Sequence, residues 1–249
     1  MLRHRADTTL SRATTTLAGV QALAPVREVL DSARRVLAEP MRVALAGRVS
    51  SGKSTLANAL IGGDLLGTGP TALTYTVTEL RYAEQPALTI HYRDGRPAQR
   101  RPLDDLSTFT VRDDGLVVDD VVDHVVVDCE FPYLRSFHLI DTPGLESPFV
   151  EDTAAAMRTV RITAEELQAD AVVLVIARGL ASSDRSLLAE VQGASFGVSP
   201  ITTVGVLTKV ELFWPDFDDP LAEGRRVANL LMEAAGARRM LYESRPACS

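Results

Sequence analysis

The sequence predicts an α/β fold, a mostly parallel sheet with helices on both faces, behind an N-terminal helical segment. Three observations carry this. From Met41 onward, short apolar runs alternate with amphipathic stretches, the order that builds a doubly covered parallel sheet. A glycine-bearing turn, Gly47-Arg48-Val49-Ser50-Ser51-Gly52-Lys53-Ser54, joins the first such run to the first such stretch. Before Pro40 there is no strand alternation. The expected division is a helical segment over 1–40 and an α/β domain over 41–249.

Residues 8–38 read as helical, with Leu23, Val26, Leu30, Ala33 and Leu37 at steps of three and four. These form a narrow apolar seam, either packed on the rest of its own domain or awaiting partner helices. Pro25 divides the region near the first turn of a second helix, and Pro40 ends it. Arg42 to Ala46 is a short buried strand feeding the glycine turn, and Ser54 to Ile61 an amphipathic helix. Leu73 to Tyr82 and Leu88 to Tyr92 read as strands, with a turn at Arg93-Asp94-Gly95. Two apolar runs, Val125 to Phe131 and Phe137 to Ile140, flank Pro132. Then come a helix over Glu151 to Gln168, a strand over Ala171 to Ala177 and a helix over Asp184 to Gln192. A strand over Ile201 to Leu207, a helix over Pro220 to Ala235 and a strand near Met240 to Ser244 complete the chain.

The 249 residues suffice for one large domain or one domain with an appendage. A net charge of −7 argues against non-specific binding to nucleic acid or acidic lipid as the main activity. Cys129 and Cys248 stand in no ligand-like spacing and read as reduced thiols of a cytoplasmic protein. The N-terminus lacks a signal-peptide core, and the longest dense apolar run, Ala171 to Ala177, is too short to span a bilayer. The expectation is a soluble chain whose membrane contact, if any, is peripheral to the inner face of the cell membrane and made through parts not in this sequence.

The turn from Gly47 to Ser54 fits the pattern G-x-x-x-x-G-K-[ST] and lies between a predicted strand and a predicted helix, as a P-loop requires. The glycines let the backbone curl so that successive N–H groups, Ser51 and Gly52 among them, face the phosphates, and the helix adds its positive end. Lys53 neutralises the β/γ oxygens, the Ser54 hydroxyl binds Mg²⁺, and Thr55 follows in the same turn. Asp141-Thr142-Pro143-Gly144-Leu145 follows an apolar strand. There Asp141 holds Mg²⁺ and Gly144 offers its N–H to a γ-phosphate. Thr208-Lys209-Val210-Glu211 also follows a buried strand and is one methylene from the [NT]-K-x-D pattern. A carboxylate there accepts from guanine N1–H and the exocyclic amine, and adenine leaves it unpaired. A threonine is expected to close over the metal; Thr76 and Thr78 read as structural, while spacing leaves both Thr71 and Thr74 open.

Four stretches carry a family likeness: 46–60, AGRVSSGKSTLANAL; 76–82, TVTELRY; 138–145, HLIDTPGL; and 206–211, VLTKVE. In these the chain resembles the bacterial dynamin-like proteins, large GTPases of the dynamin type, and the likeness spans nearly the whole chain. The resemblance implies a dynamin-type P-loop NTPase domain that binds GTP, releases GDP and uses Mg²⁺. Aligned on Thr78 to Tyr82, the family's switch threonine falls on Thr74, and Ser50 matches the serine used near the β/γ bridge. Ser50, Lys53 and Thr74 are then the catalytic set, and Ser54, Thr74 and Asp141 the metal set. Two positions depart from the family: Val49 stands where eukaryotic dynamins have a water-orienting glutamine, and Glu211 replaces the usual aspartate. The resemblance also implies self-association across the nucleotide and a helical stalk that remodels membranes. The sequence stops near the last expected strand, so on this resemblance the 23–37 seam would lack the partners a C-terminal part provides. The chain is then expected to be either an excised G domain or one whose seam is covered in another way, such as by self-association. Two alternatives are a GTP-gated interaction module with negligible turnover and an ATPase of the same fold.

Overall fold

The computed structural model describes residues 2–68, 73–74, 76–112, 121–144, 169–177, 203–214, 216–235 and 240–242. The helices expected over 151–168 and 184–192, together with Thr71 and Cys248, lie outside them. Two compact units emerge, Met1–Pro40 and Met41–Ser249.

The first unit is a helical hairpin of α1 (Leu2–Thr16) and α2 (Ala24–Ala38), joined through a 3₁₀ turn at Gln21–Leu23. Pro25 occupies the first turn of α2, where a missing N–H costs nothing. Arg34 pairs with Asp7 at 3.0 Å, and Arg3 donates to the carbonyls of Leu37 and Glu39, so the start of α1 lies beside the end of α2. No residue of α2 is fully buried; Leu23, Leu30 and Leu37 are half-covered, while Val26, Val29 and Val36 stand exposed. The helical region begins earlier than residue 8 and breaks between Thr16 and Ala24.

In the second unit the described elements are, in chain order, β1 (Met41–Gly47), α3 (Lys53–Ile61), β2 (Leu73–Thr74), β3 (Val77–Tyr82), β4 (Ala87–Tyr92), β5 (Gln99–Arg101), α4 (Leu106–Thr110), β6 (Val111–Arg112), β7 (Val122–Cys129), β8 (Phe137–Asp141), β9 (Ala171–Ala177), β10 (Thr203–Thr208), α5 (Pro220–Ala235) and β11 (Met240–Tyr242). Nine strands form one sheet in the order β11-β10-β9-β1-β8-β3-β7-β4-β5, while β2 and β6 pair separately. The run β11 to β8 is parallel; β3 is antiparallel to β8 and parallel to β7, and β4 and β5 continue antiparallel. The stretch 73–82, expected as one strand, contains two described strands, β2 and β3, and β2 pairs with β6 outside the main sheet.

Helices cover both faces. One face buries Leu45, Leu80, Leu139 and Val175 against Leu56, Ala57 and Ile61 of α3. The other buries Ala46, Ile140, Leu174 and Leu207 against Ala228 and Leu231 of α5. Each fully buried leucine or isoleucine stabilises by about 1.5–3 kcal/mol. The start of α5 is capped by Asp219, whose Oδ1 accepts from the N–H groups of Leu221 and Ala222 at 3.0 Å each. Beyond the apolar patches, β3 is tied sideways by polar pairs: Glu79 to His138 of β8 at 2.9 Å, and Arg81 to Asp128 of β7 at 2.8 Å.

The register sets up the site. Leu45 aligns with Asp141 and Gly47 with Val175, which in turn aligns with Val206, so β1, β8, β9 and β10 end along one edge. Open α/β sheets bind ligands beyond such carboxyl ends. Because β3 runs against β8, Thr78 aligns with Asp141, and the chain just before β3 arrives at the same edge.

Candidate functional site

The loop between β1 and α3 is shaped by close approach and by backbone strain. A methyl group on Gly47 would lie 2.4 Å from the carbonyl oxygen of Val175 and 2.8 Å from Ser51 Oγ, so only glycine fits. Gly52 has φ 95°, the left-handed region open to glycine, and α3 begins at the next residue. Two non-glycine residues among those described have positive φ: Ser50 at 58° and Lys209 at 57°. One lies in the Gly47–Ser54 loop and one in the Thr-Lys-x-Glu turn, and unfavoured backbone of this kind concentrates at binding sites.

Lys53 is buried, and its Nζ donates to the carbonyls of Gly47, 3.2 Å, and Arg48, 3.0 Å. Burial lowers its pKa below the ordinary lysine range, opposed by the charge of Asp141. Asp141 is fully buried at the end of β8. Burial pushes its carboxyl above the usual carboxylate range; the Lys53 ammonium and hydrogen bonds from Ser54 and Thr74 oppose that rise. Ser54 Oγ donates to Asp141 Oδ2 at 2.9 Å and lies 3.1 Å from Thr74 Oγ1. Residues 53, 54, 74 and 141 therefore meet at one point, delivered by α3, β2 and β8.

Two buried oxygens there have no hydrogen-bond partner, Asp141 Oδ1 and Ser51 Oγ. Such an atom costs about 1–3 kcal/mol unless a ligand satisfies it. A carboxylate oxygen beside two hydroxyls is an all-oxygen donor set, the kind a hard divalent cation takes. The residues present thus fit Mg²⁺.

Gly144 lies close to the P-loop: a methyl group on it would meet Val49 Cγ2 at 2.6 Å. Thr55, half-buried, lines a cleft of about 250 Å³ with Asn58, Gly63 and Thr68. Ser50 is exposed. The Thr208 hydroxyl, buried, donates to Ser51 O at 2.6 Å, and Ile176 O lies 3.3 Å away. It thereby ties the end of β10 to the P-loop, a bond that the sequence pattern does not reveal. Lys209 precedes a 3₁₀ turn, Val210–Phe213, on which Glu211 is exposed. Thr142, not singled out from sequence, donates to Leu45 O at 2.6 Å and fastens the Asp-x-x-Gly turn to β1; a hydroxyl between Asp141 and Pro143 was the available signal.

The sequence model of the dynamin family matches residues 43–210. The isoniazid-induced protein IniC of Mycobacterium tuberculosis is 32% identical over 189 residues, 73% of this chain and 36% of that protein. Dynamin-like protein 2 of Campylobacter jejuni is 31% identical over 107 residues, 43% of this chain and 17% of that protein. The bacterial dynamin-like protein of Nostoc punctiforme is 26% identical over 130 residues, 48% of this chain and 19% of that protein. A solved structure of an oligomerised bacterial dynamin pair superposes with a TM-score of 0.61 at 19% identity, over 90% of this chain and 34% of that one. This chain spans about a third or less of the length of these proteins. With a P-loop, an Asp-x-x-Gly turn and a Thr-Lys-x-Glu turn at one sheet edge, the chain belongs to the dynamin family, as a GTPase domain of the bacterial dynamin-like type.

Proposed function

We propose that this domain binds GTP with Mg²⁺ and hydrolyses it to GDP and phosphate. The observation that carries the reading is the meeting of Lys53, Ser54, Thr74 and Asp141 around the partnerless Asp141 Oδ1. Lys53 exchanges the Gly47 and Arg48 carbonyls for β/γ-phosphate oxygens, and the P-loop N–H groups, with those at the start of α3, hold the rest of the chain of phosphates. Ser54, Thr74 and Asp141 hold Mg²⁺, which supplies charge neutralisation on the transferring phosphoryl group. Gly144 N–H binds the γ-phosphate, Ser50 lies beside the β/γ bridge, and Thr74 positions the attacking water. Lys209 and Glu211 read the guanine base, while Thr208 holds their turn against the P-loop.

In a longer protein the domain self-associates in a nucleotide-dependent way and contributes to membrane remodelling. Residues 1–40 then act as a bundle element whose 23–37 seam takes a partner helix. The family membership and the membrane tethering named for the dynamin pair support this. Its location is cytoplasmic, peripheral to the inner face of the membrane; no described helix is long and apolar enough to cross one. A second reading, a GTP-gated interaction module with negligible turnover, is favoured by Val49, an apolar side chain set against Gly144 where a water has to be oriented.

Lys53→Ala is expected to lower GTP and GDP affinity by at least about a hundredfold, read by fluorescence titration with labelled nucleotides. Retained affinity would remove the P-loop from the account.

A further inference from the structure

The phosphate end of the site is closed on itself in three places. Lys53 is bonded to the Gly47 and Arg48 carbonyls, and Ser54 to Asp141. The third closure joins the two loops: a methyl group on Gly144 would stand 2.6 Å from Val49 Cγ2, 2.7 Å from Val49 Cα and 2.8 Å from Val49 N. Backbone and side chain of Val49 therefore lie directly on Gly144.

These closures differ in kind. A phosphate oxygen replaces a carbonyl on Lys53, and a cation replaces the hydroxyl on Asp141, each polar for polar. The Val49 contact is steric, made by Cγ2 together with the backbone, and no ligand group substitutes for its Cγ2 part. A diphosphate seated in the P-loop needs the first exchanges alone. On the GTP reading above, a third phosphate is bound at Gly144, the residue on which Val49 packs. Ser50, next to Val49, has φ 58°, so the loop is held in an unfavoured backbone conformation at the very point where it must move.

We propose that Val49 is a specificity-determining residue that sets the preference between nucleoside diphosphate and triphosphate, by holding the P-loop on Gly144 until a third phosphate separates them. This rests on the GTP reading above. A ligand that binds only the parted form loses affinity in proportion to how rarely that form is populated, and a ligand indifferent to parting loses none. Shortening the side chain at 49 weakens the clasp; lengthening it strengthens the clasp.

The test is the affinity for GDP and for a non-hydrolysable GTP analogue, by equilibrium fluorescence with Mg²⁺ present, in the unchanged chain, Val49→Ala and Val49→Leu. The triphosphate-to-diphosphate affinity ratio is expected to rise about tenfold in Val49→Ala and to fall in Val49→Leu. A ratio unmoved in both variants, or moved the same way in both, overturns the proposal. Lys53→Ala separates the two levels. If it abolishes binding while the ratio stays flat in the Val49 pair, the clasp alone is wrong; if it leaves binding intact, the GTP reading falls with it.

Discussion

The proposed phosphate end and the proposed base end of the site are built on opposite plans. At the phosphate end, Lys53, Asp141 and Thr208 are buried, and the hydroxyls, carbonyls and carboxylate bond to one another. At the base end, Glu211 is exposed, and Leu212, Trp214 and Phe217 stand 43%, 63% and 42% exposed within a few residues of it. A charge interaction in the buried region is worth several times more than one in solvent, so changes there have large, sharply defined effects. At the open end water competes for every contact, so the loss of any one of them has a smaller effect. On the proposed reading, chemistry is concentrated where the chain is closed, and selectivity where it is open.

The contrast can be broken first at Thr74. Thr74→Ala removes a hydroxyl 3.1 Å from Ser54 Oγ and is expected to cut turnover by about a hundredfold or more while GDP affinity stays within a few-fold. Single-turnover phosphate release and a GDP titration check it; unchanged turnover moves the role to Thr71. Next comes Glu211 at the open end. Glu211→Ala is expected to lower GTP affinity about tenfold and leave ATP affinity alone, the cost of losing one carboxylate that pairs with guanine. Equal loss for both nucleotides would take Glu211 out of base reading.

The smallest effect lies outside the site, at Glu79. Burial alone would raise its carboxyl, but the hydrogen bond to His138 and the charges of Arg42, His138 and Arg81 hold it below the ordinary glutamate range. A carboxyl whose pKa is depressed by folding stabilises above its unfolded pKa and loses that contribution as pH falls through the folded value. Glu79→Gln is therefore expected to cost about 1 kcal/mol near neutrality, and the gap to the unchanged protein should narrow on acidification from about pH 4 downward. Urea melts at a series of pH values measure this, and a gap independent of pH would contradict it.

How much of this was legible in the chain depended on whether the signal was local. The strand Ala171–Ala177 and the helix Pro220–Ala235 match the sequence reading at both ends, because one is an unbroken apolar run and the other is opened by Asp219-Pro220. The P-loop and the Asp-x-x-Gly turn were legible for the same reason, with strands in front of both. By contrast, β5 has no apolar period, since all three of its residues are exposed on an edge strand. The division into β2 and β3 was hidden because alternation runs on from Leu73 to Thr78, and the departure of β2 depends on its partner Val111–Arg112. The Val49–Gly144 contact and the Thr208–Ser51 bond are products of register between distant strands, which no window of sequence contains.

Phosphate release from GTP and from ATP, measured in parallel with Mg²⁺ over a range of protein concentrations, tests the central claim most directly. The account predicts release from GTP well above that from ATP, removed by chelating the metal, with specific activity rising as the protein self-associates. Equal release from the two nucleotides, or release from GTP no faster than in the Lys53→Ala protein, would contradict it.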